Sequence, residues 1–472
     1  MLETSRFRLF VNSAIALMML ITPHASGAQQ PSDAAGARWV GTWSGTLIAG
    51  TASVRLALTI RRDSGGRLVG LMKSQTGAQA PVVIEARGDT LRFTVSAEHI
   101  SYIGVAGVPG DSLRGTFTQG AASFPLAFGY SASIAESSRP QDPKAPFPYR
   151  ATDVSITSVP GVQLAATVII PDGKGPFPAV VFVTGSGPQD RDEAIMGHRP
   201  FLVIADYLAR QGIASLRYDD RGYAKSTGVF DGATTADFAN DAEAALRFLR
   251  SVPGIASDRV GIIGHSEGGV VGPIVAARTR DVAFLVLMAG TGVRGDSVSL
   301  LQMRRIAGQS DAQVAIVRPL FRAVADSKDS ADAVARVASA TQQILSSLPE
   351  AQRSIAATQL ARTSAALLAP WMRYFVRYDP RDALRKVHVP VLALNGSRDV
   401  QVSARENLAA IDTALMRAGN RDVRTIELDG LNHLFQPART GAVAEYASID
   451  ETVSTQVLEL IAAWINARFA RR

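Results

Sequence analysis

Over residues 39–129 apolar and polar residues alternate, as in Val54, Leu56, Leu58 and Ile60 or Leu91, Phe93 and Val95, with turn pairs such as Gly65-Gly66 between the runs. A period of two places every second side chain on one face of a strand, and the glycines mark the turns. About seven or eight such runs fit, which predicts a small antiparallel all-β domain, a barrel or curled sheet, over 37–132. His99 and Glu98 read as a surface pair within it. The pattern then breaks. Residues 133–150 hold Pro140, Pro143, Pro146 and Pro148 with charges between them, a composition that cannot bury a core and predicts an extended linker.

From 151 to 472 the grammar is different. Short apolar runs at 179–183, 214–218, 260–263, 284–288 and 391–394 alternate with amphipathic stretches, which predicts a doubly wound, mostly parallel α/β sheet. Between about residues 291 and 379 strand signals fade and Ala, Arg, Gln and Leu dominate, so a helical cap is expected there. Its place between two strands of the sheet sets it over the strand ends, where Trp371 and Met372 become candidates for one wall of a substrate pocket.

Arg6 and Arg8 precede a mostly apolar run over 9–21, which is followed by Ala25, Ser26, Gly27 and Ala28. That three-part order predicts a signal peptide over 1–28, cleaved near Ala28, because the run is shorter than the roughly 20 residues a bilayer span needs. The expected destination is the periplasm or the medium, with no membrane span left after cleavage.

Composition narrows the chemistry. The chain has 472 residues, 47% of them hydrophobic and 19% charged, enough for two or three domains. Its net charge is +7, but the 49 basic and 42 acidic residues are scattered, without the basic stripe that nucleic-acid binding uses. Cysteine is absent, which excludes disulfides, thiolate catalysis and Cys-ligated zinc.

Gly264-His265-Ser266-Glu267-Gly268 follows an apolar run and opens a helical stretch, the strand-turn-helix context of a nucleophile elbow. Glycines let strand and helix approach, the strained turn lifts the serine Oγ clear of the sheet, and the helix N-terminus favours developing negative charge. A serine nucleophile needs a base. His433, in a loop after the 425–428 run, has the right address above the strand ends; His388 leads into a strand at the far end, and His198 is the alternative base. Asp399, directly after the 391–394 run, is the candidate to hold the imidazole, unless it only caps a turn. The oxyanion would be met by the backbone N–H of Glu267, its side chain turned away, and by Ser186 in the glycine-rich run Thr184-Gly185-Ser186-Gly187-Pro188. Asp190, Arg191, Asp192, Asp219 and Arg221 read as ion pairs fastening loops.

Gly185-Ser186-Gly187-Pro188-Gln189-Asp190-Arg191-Asp192, Arg217-Tyr218-Asp219-Asp220-Arg221-Gly222, Gly264 to Gly269, Gly396 to Asp399 and Asn432-His433-Leu434-Phe435 together resemble bacterial esterases of the α/β-hydrolase superfamily, the serine aminopeptidase-like S33 type with an extra N-terminal β domain. The resemblance runs across about 150 to 472. It implies an α/β-hydrolase fold and carboxylesterase-like activity on small acyl esters without metal or cofactor. Thr184 departs from the family where a histidine is common, and Ala224 where a glycine commonly follows. Three functions stay open at this point: a carboxylesterase, an aminopeptidase, and a catalytically silent binding protein.

Overall fold

A computed structural model of the chain describes residues 37–49, 52–74, 79–95, 100–107, 112–120, 122–130, 139–306 and 308–469. The expected signal peptide over 1–28 and the pair Glu98 and His99 lie outside them. The chain divides into two compact units, one comprising Met1–Arg139 with Ala442–Asp450 and the other Pro140–Gly441 with Glu451–Arg472.

In the first unit eight strands, β1 (Gly41–Ala49), β2 (Ala52–Arg62), β3 (Leu68–Ser74), β4 (Gln79–Arg87), β5 (Thr90–Val95), β6 (Ile100–Ala106), β7 (Ser112–Gln119) and β8 (Ala122–Tyr130), form a closed barrel. Each pairs antiparallel with the next, and β1 pairs with β8 to remove the free edges. The alternation sorts side chains as expected. Leu91, Phe93 and Val95 of β5 are buried while Arg92 and Thr94 face out, and Trp43, Leu56, Leu58, Phe93, Tyr102, Phe117 and Phe128 fill the interior. A short 3₁₀ helix, Val443–Ser448, belongs to this unit with its Tyr446 fully buried, although chain order places it late in the second.

The second unit is built on a sheet of eight strands in the order β9-β10-β12-β11-β13-β14-β15-β16. They are β9 (Tyr149–Thr157), β10 (Gln163–Pro171), β11 (Phe177–Val183), β12 (Ala214–Tyr218), β13 (Ile255–His265), β14 (Leu285–Met288), β15 (Val391–Gly396) and β16 (Val423–Leu428). From β12 onward neighbours are parallel; β10 is antiparallel to both β9 and β12. This order, with its antiparallel edge and crossover helices, is the α/β-hydrolase architecture. Continuous apolar strands are what a sheet covered on both faces requires. Val180 and Phe182 pack with α1 (Pro200–Arg210) and α11 (Thr455–Phe469), whereas Ala179, Val181 and Val183 pack with α2 (Thr235–Ser251), α3 (Gly268–Arg278) and α10 (Ala404–Arg417).

Between β14 and β15 stand the cap helices α4 (Gly295–Arg305), α5 (Asp311–Ala325), α6 (Ser330–Ser347), α7 (Glu350–Leu368) and α8 (Pro370–Arg377). They carry a core of their own, with Leu320, Val324, Val337, Ile344, Leu367 and Val376 buried together. Local signals set their starts: the Ser310 side chain accepts from the Gln313 N–H and the Gln313 side chain answers, Asp329 caps α6, and Pro370 opens α8.

Candidate active site

β13 ends at His265, and α3 begins at Gly268, leaving Ser266 on the turn between them at φ +52°. A non-glycine residue there is strained by about 1–3 kcal/mol and persists only where its surroundings over-determine it. They do so here. The Ser266 N–H donates to the Met288 carbonyl at the end of β14, at 2.8 Å. A Cβ on Gly264 would lie 2.0 Å from the Gly268 carbonyl oxygen, and one on Gly268 would lie 2.1 Å from that of Val183, so both positions need glycine. Ser266 is partly exposed while Gly264, His265, Glu267 and Gly268 are buried, and α3 opens directly behind it, its Gly269 N–H donating to the Ser266 carbonyl at 3.0 Å.

Asp399 follows β15 and His433 follows β16, so both stand at the same carboxyl ends of the strands as Ser266. The structure brings them together: His433 Nδ1 donates to Asp399 Oδ2 at 2.7 Å, with the carboxylate 1% exposed. The other oxygen, Oδ1, accepts the N–H groups of Gln401 and Val402, each at 2.8 Å. Turn residue and histidine partner are therefore one arrangement, an oxygen for each. The His433 loop is braced by Asn432, whose Oδ1 accepts from the Leu434 and Gln436 N–H groups. His198, the alternative base, is fully buried against the Thr452 hydroxyl and the Gln436 amide, 3.0 Å from each, and supports that loop from behind. His388 is exposed just before β15, at the opposite end of the sheet.

The run after β11 presses against the elbow, since a Cβ on Gly185 would lie 3.3 Å from Ser266 Cβ. The Gly185 N–H is already spent on Glu193 Oε1 at 2.7 Å, which leaves Ser186, exposed on the next residue, as the loop's candidate oxyanion donor. Thr184 donates to Asp220 Oδ1 at 2.8 Å, and burial pushes the Asp220 carboxyl well above its ordinary range. Ala224 takes the left-handed conformation, φ +47°, where the family resemblance expects glycine. Arg191 grips Asp219 with two N–H groups at 2.9 Å each, Arg221 grips Asp241 at 2.7 and 2.8 Å, and Arg217 pairs with Asp192. Asp190 Oδ1 accepts the N–H groups of Asp192 and Ala194. These charges hold loops.

Glu267, the residue after the nucleophile, is also tied into the fold. Its side chain turns inward, 5% exposed, and Oε1 accepts from the Thr235 hydroxyl at 2.6 Å and from the Trp371 indole N–H at 2.9 Å. Burial raises its pKa, against the lowering effect of those two hydrogen bonds, and Oε2 is buried with no hydrogen-bond partner among the described residues. Trp371, stacked on Phe375 with ring centroids 5.3 Å apart, thereby ties α8 of the cap to the residue beside Ser266. Met372 instead joins the apolar cluster inside the cap. Glu193, Asp241 and Thr235 escaped the sequence reading, because Glu193 is a buried acid in a loop and Thr235 and Asp241, on α2, are singled out only by partners from other elements.

A family model described as X-Pro dipeptidyl-peptidase, S15 family, matches residues 160–419. The chain belongs to that family. The match takes in Ser266 and Asp399 and ends before β16 and His433. Among individual proteins, esterase EstD of Thermotoga maritima is 26% identical over 323 residues, 68% of either chain. The mitochondrial acyl-coenzyme A thioesterase 2 of Mus musculus is 25% identical over 129 residues, 27% of this chain and 25% of that protein. Of solved structures, the Pyrococcus furiosus esterase Pf2001 aligns at 16% identity and a TM-score of 0.41 over 68% of this chain and 94% of its own. The α/β-hydrolase GrgF of Penicillium aligns at 16% and 0.45 over 68% and 100%.

Proposed function

We propose that this S15-family chain is an exported serine hydrolase that cleaves carboxylic esters through an acyl-enzyme on Ser266. The observation that carries the reading is the 2.7 Å His433–Asp399 hydrogen bond at the strand ends beside a strained Ser266. In this reading Ser266 Oγ attacks the ester carbonyl carbon while His433 Nε2 takes its proton. Asp399 holds the Nδ1–H tautomer and stabilises the imidazolium. Backbone N–H groups of Glu267 and Ser186 meet the oxyanion. The C–O bond to the leaving alcohol breaks as His433 returns the proton to that oxygen, and water then repeats the sequence on the acyl-enzyme. The named activities of the Thermotoga and mouse relatives, an esterase and acyl-coenzyme A thioesterases, both transfer an acyl group to water and support this class. The S33-type motifs seen in the sequence fit the same chemistry. The three-part pattern of residues 1–28 supports export.

A second reading, an aminopeptidase or dipeptidyl-peptidase, is favoured by the family description and by the unpartnered Oε2 of Glu267. An arriving ammonium needs an ionised acid, and Glu267 is pushed toward its neutral form with one oxygen already taken. Esters with a free and an acetylated α-amine on one leaving group separate the two readings. The expected result is no gain in kcat/KM from the free amine. A clear gain that Glu267→Gln removes would establish the peptidase.

Trp371, which reaches the elbow, is expected to matter to the acyl pocket more than Met372. Trp371→Ala should change the ratio of kcat/KM for long over short acyl chains by about tenfold or more. Met372→Ala should change it less. Equal shifts from both would assign Trp371 a purely structural part.

A further inference from the structure

Both ring nitrogens of His265 lie within hydrogen-bond distance of an oxygen. Nε2 lies 3.0 Å from the carbonyl oxygen of His433, a group that can only accept, so Nε2 carries a proton. Nδ1 lies 2.8 Å from Glu193 Oε1, which also accepts the Gly185 N–H at 2.7 Å. An ionised carboxylate accepts only, so with Glu193 charged Nδ1 carries a proton as well. We infer that His265 is an imidazolium buried against the Glu193 carboxylate, and that this pair is the positioning device that locks the nucleophile turn, the oxyanion loop and the base loop together.

The geometry is over-determined at each contact. Glu193 is 3% exposed and His265 5%, and Glu193 is held at φ +52°, a conformation a non-glycine residue keeps only under constraint. His265 immediately precedes Ser266. It bonds directly to the backbone of His433, and through Glu193 it reaches the N–H of Gly185, the residue before Ser186. The titratable groups facing its ring are Glu193 from the loop after β11, Asp399 from the loop after β15, and His433, whose ring centroid is 4.7 Å away. Burial opposes the charge on His265, but the Glu193 carboxylate, the His433 carbonyl and Asp399 together hold its pKa above the ordinary 6.5. The sign follows from that direction. The contribution of the pair is complete below 6.5 and is lost as the pH rises through the higher folded value. Losing the proton sets a lone pair against either Glu193 or the His433 carbonyl, so one of the loops must shift.

The protonation state rests on the two ring hydrogen bonds with Glu193 ionised, whereas its part in catalysis rests on the proposed triad. The test is nitrogen NMR of full-length protein labelled with ¹⁵N-histidine, titrated with pH. One histidine should keep both ring nitrogens protonated after exposed histidines have lost theirs, and Glu193→Gln should abolish that signal. Every histidine neutral by about pH 8 would overturn the assignment. So would an imidazolium that survives Glu193→Gln. In parallel, Glu193→Gln should lower kcat about 10- to 100-fold with little change in KM and move the alkaline fall of activity to lower pH. An unchanged pH profile would reduce the pair to a structural tie. A wild type inactive on esters would defeat the functional reading and leave the NMR result standing.

Discussion

Ser266→Ala is expected to leave a folded protein with ester turnover lowered by about 10⁴-fold or more. Alanine keeps the Cβ that the turn already accommodates at φ +52°, so the substitution adds no new backbone strain. It retains the Ser266 N–H bond to Met288 and the glycine contacts around the elbow. What it removes is the one oxygen placed to attack. Circular dichroism and melting temperature should match wild type while kcat collapses. Activity within about tenfold of wild type would show that another group attacks the ester.

Asp399→Asn is expected to cost roughly 10⁴-fold in kcat, by way of a tautomer rather than a gap. The side chain is pinned, because Oδ1 accepts the N–H groups of Gln401 and Val402. An asparagine can meet those two donors only with its carbonyl oxygen, which turns its NH₂ toward His433 Nδ1. Nδ1 must then accept, the proton moves to Nε2, and the imidazole faces the serine with nothing to receive its hydrogen. KM should change far less than kcat, since no substrate contact is touched. A loss below about tenfold, with a carboxylate elsewhere essential, would leave Asp399 a turn residue only.

Much of this molecule is legible as pattern. The barrel strands alternate because one face of each meets the interior, and β11 to β15 are continuous apolar runs because helices cover both faces of the sheet. β9 and β10 were not foreseen. β9 is an edge strand with Ile156 as its single buried residue, so it carries almost no apolar signal, and its start at Tyr149 lies inside the stretch read as linker. The grouping of Ala442–Asp450 with the barrel unit is a long-range packing event that no local window contains. At the site, the elbow glycines and the order Ser266, Asp399, His433 stand out because tight turns and strand ends constrain residue type. The Glu193–His265 contact does not, since it joins residues 72 positions apart through side chains alone. The contacts of the Glu267 side chain are equally hidden, since its partners Thr235 and Trp371 come from two distant helices.

The central claim is that Ser266 is the acylated nucleophile. Full-length protein should be treated with a fluorophosphonate, its intact mass recorded, and the modified residue located by peptide sequencing. A single adduct on Ser266, lost in Ser266→Ala, is the predicted result. Folded wild-type protein that takes no adduct, or one modified at a different residue while Ser266 stays free, would contradict it.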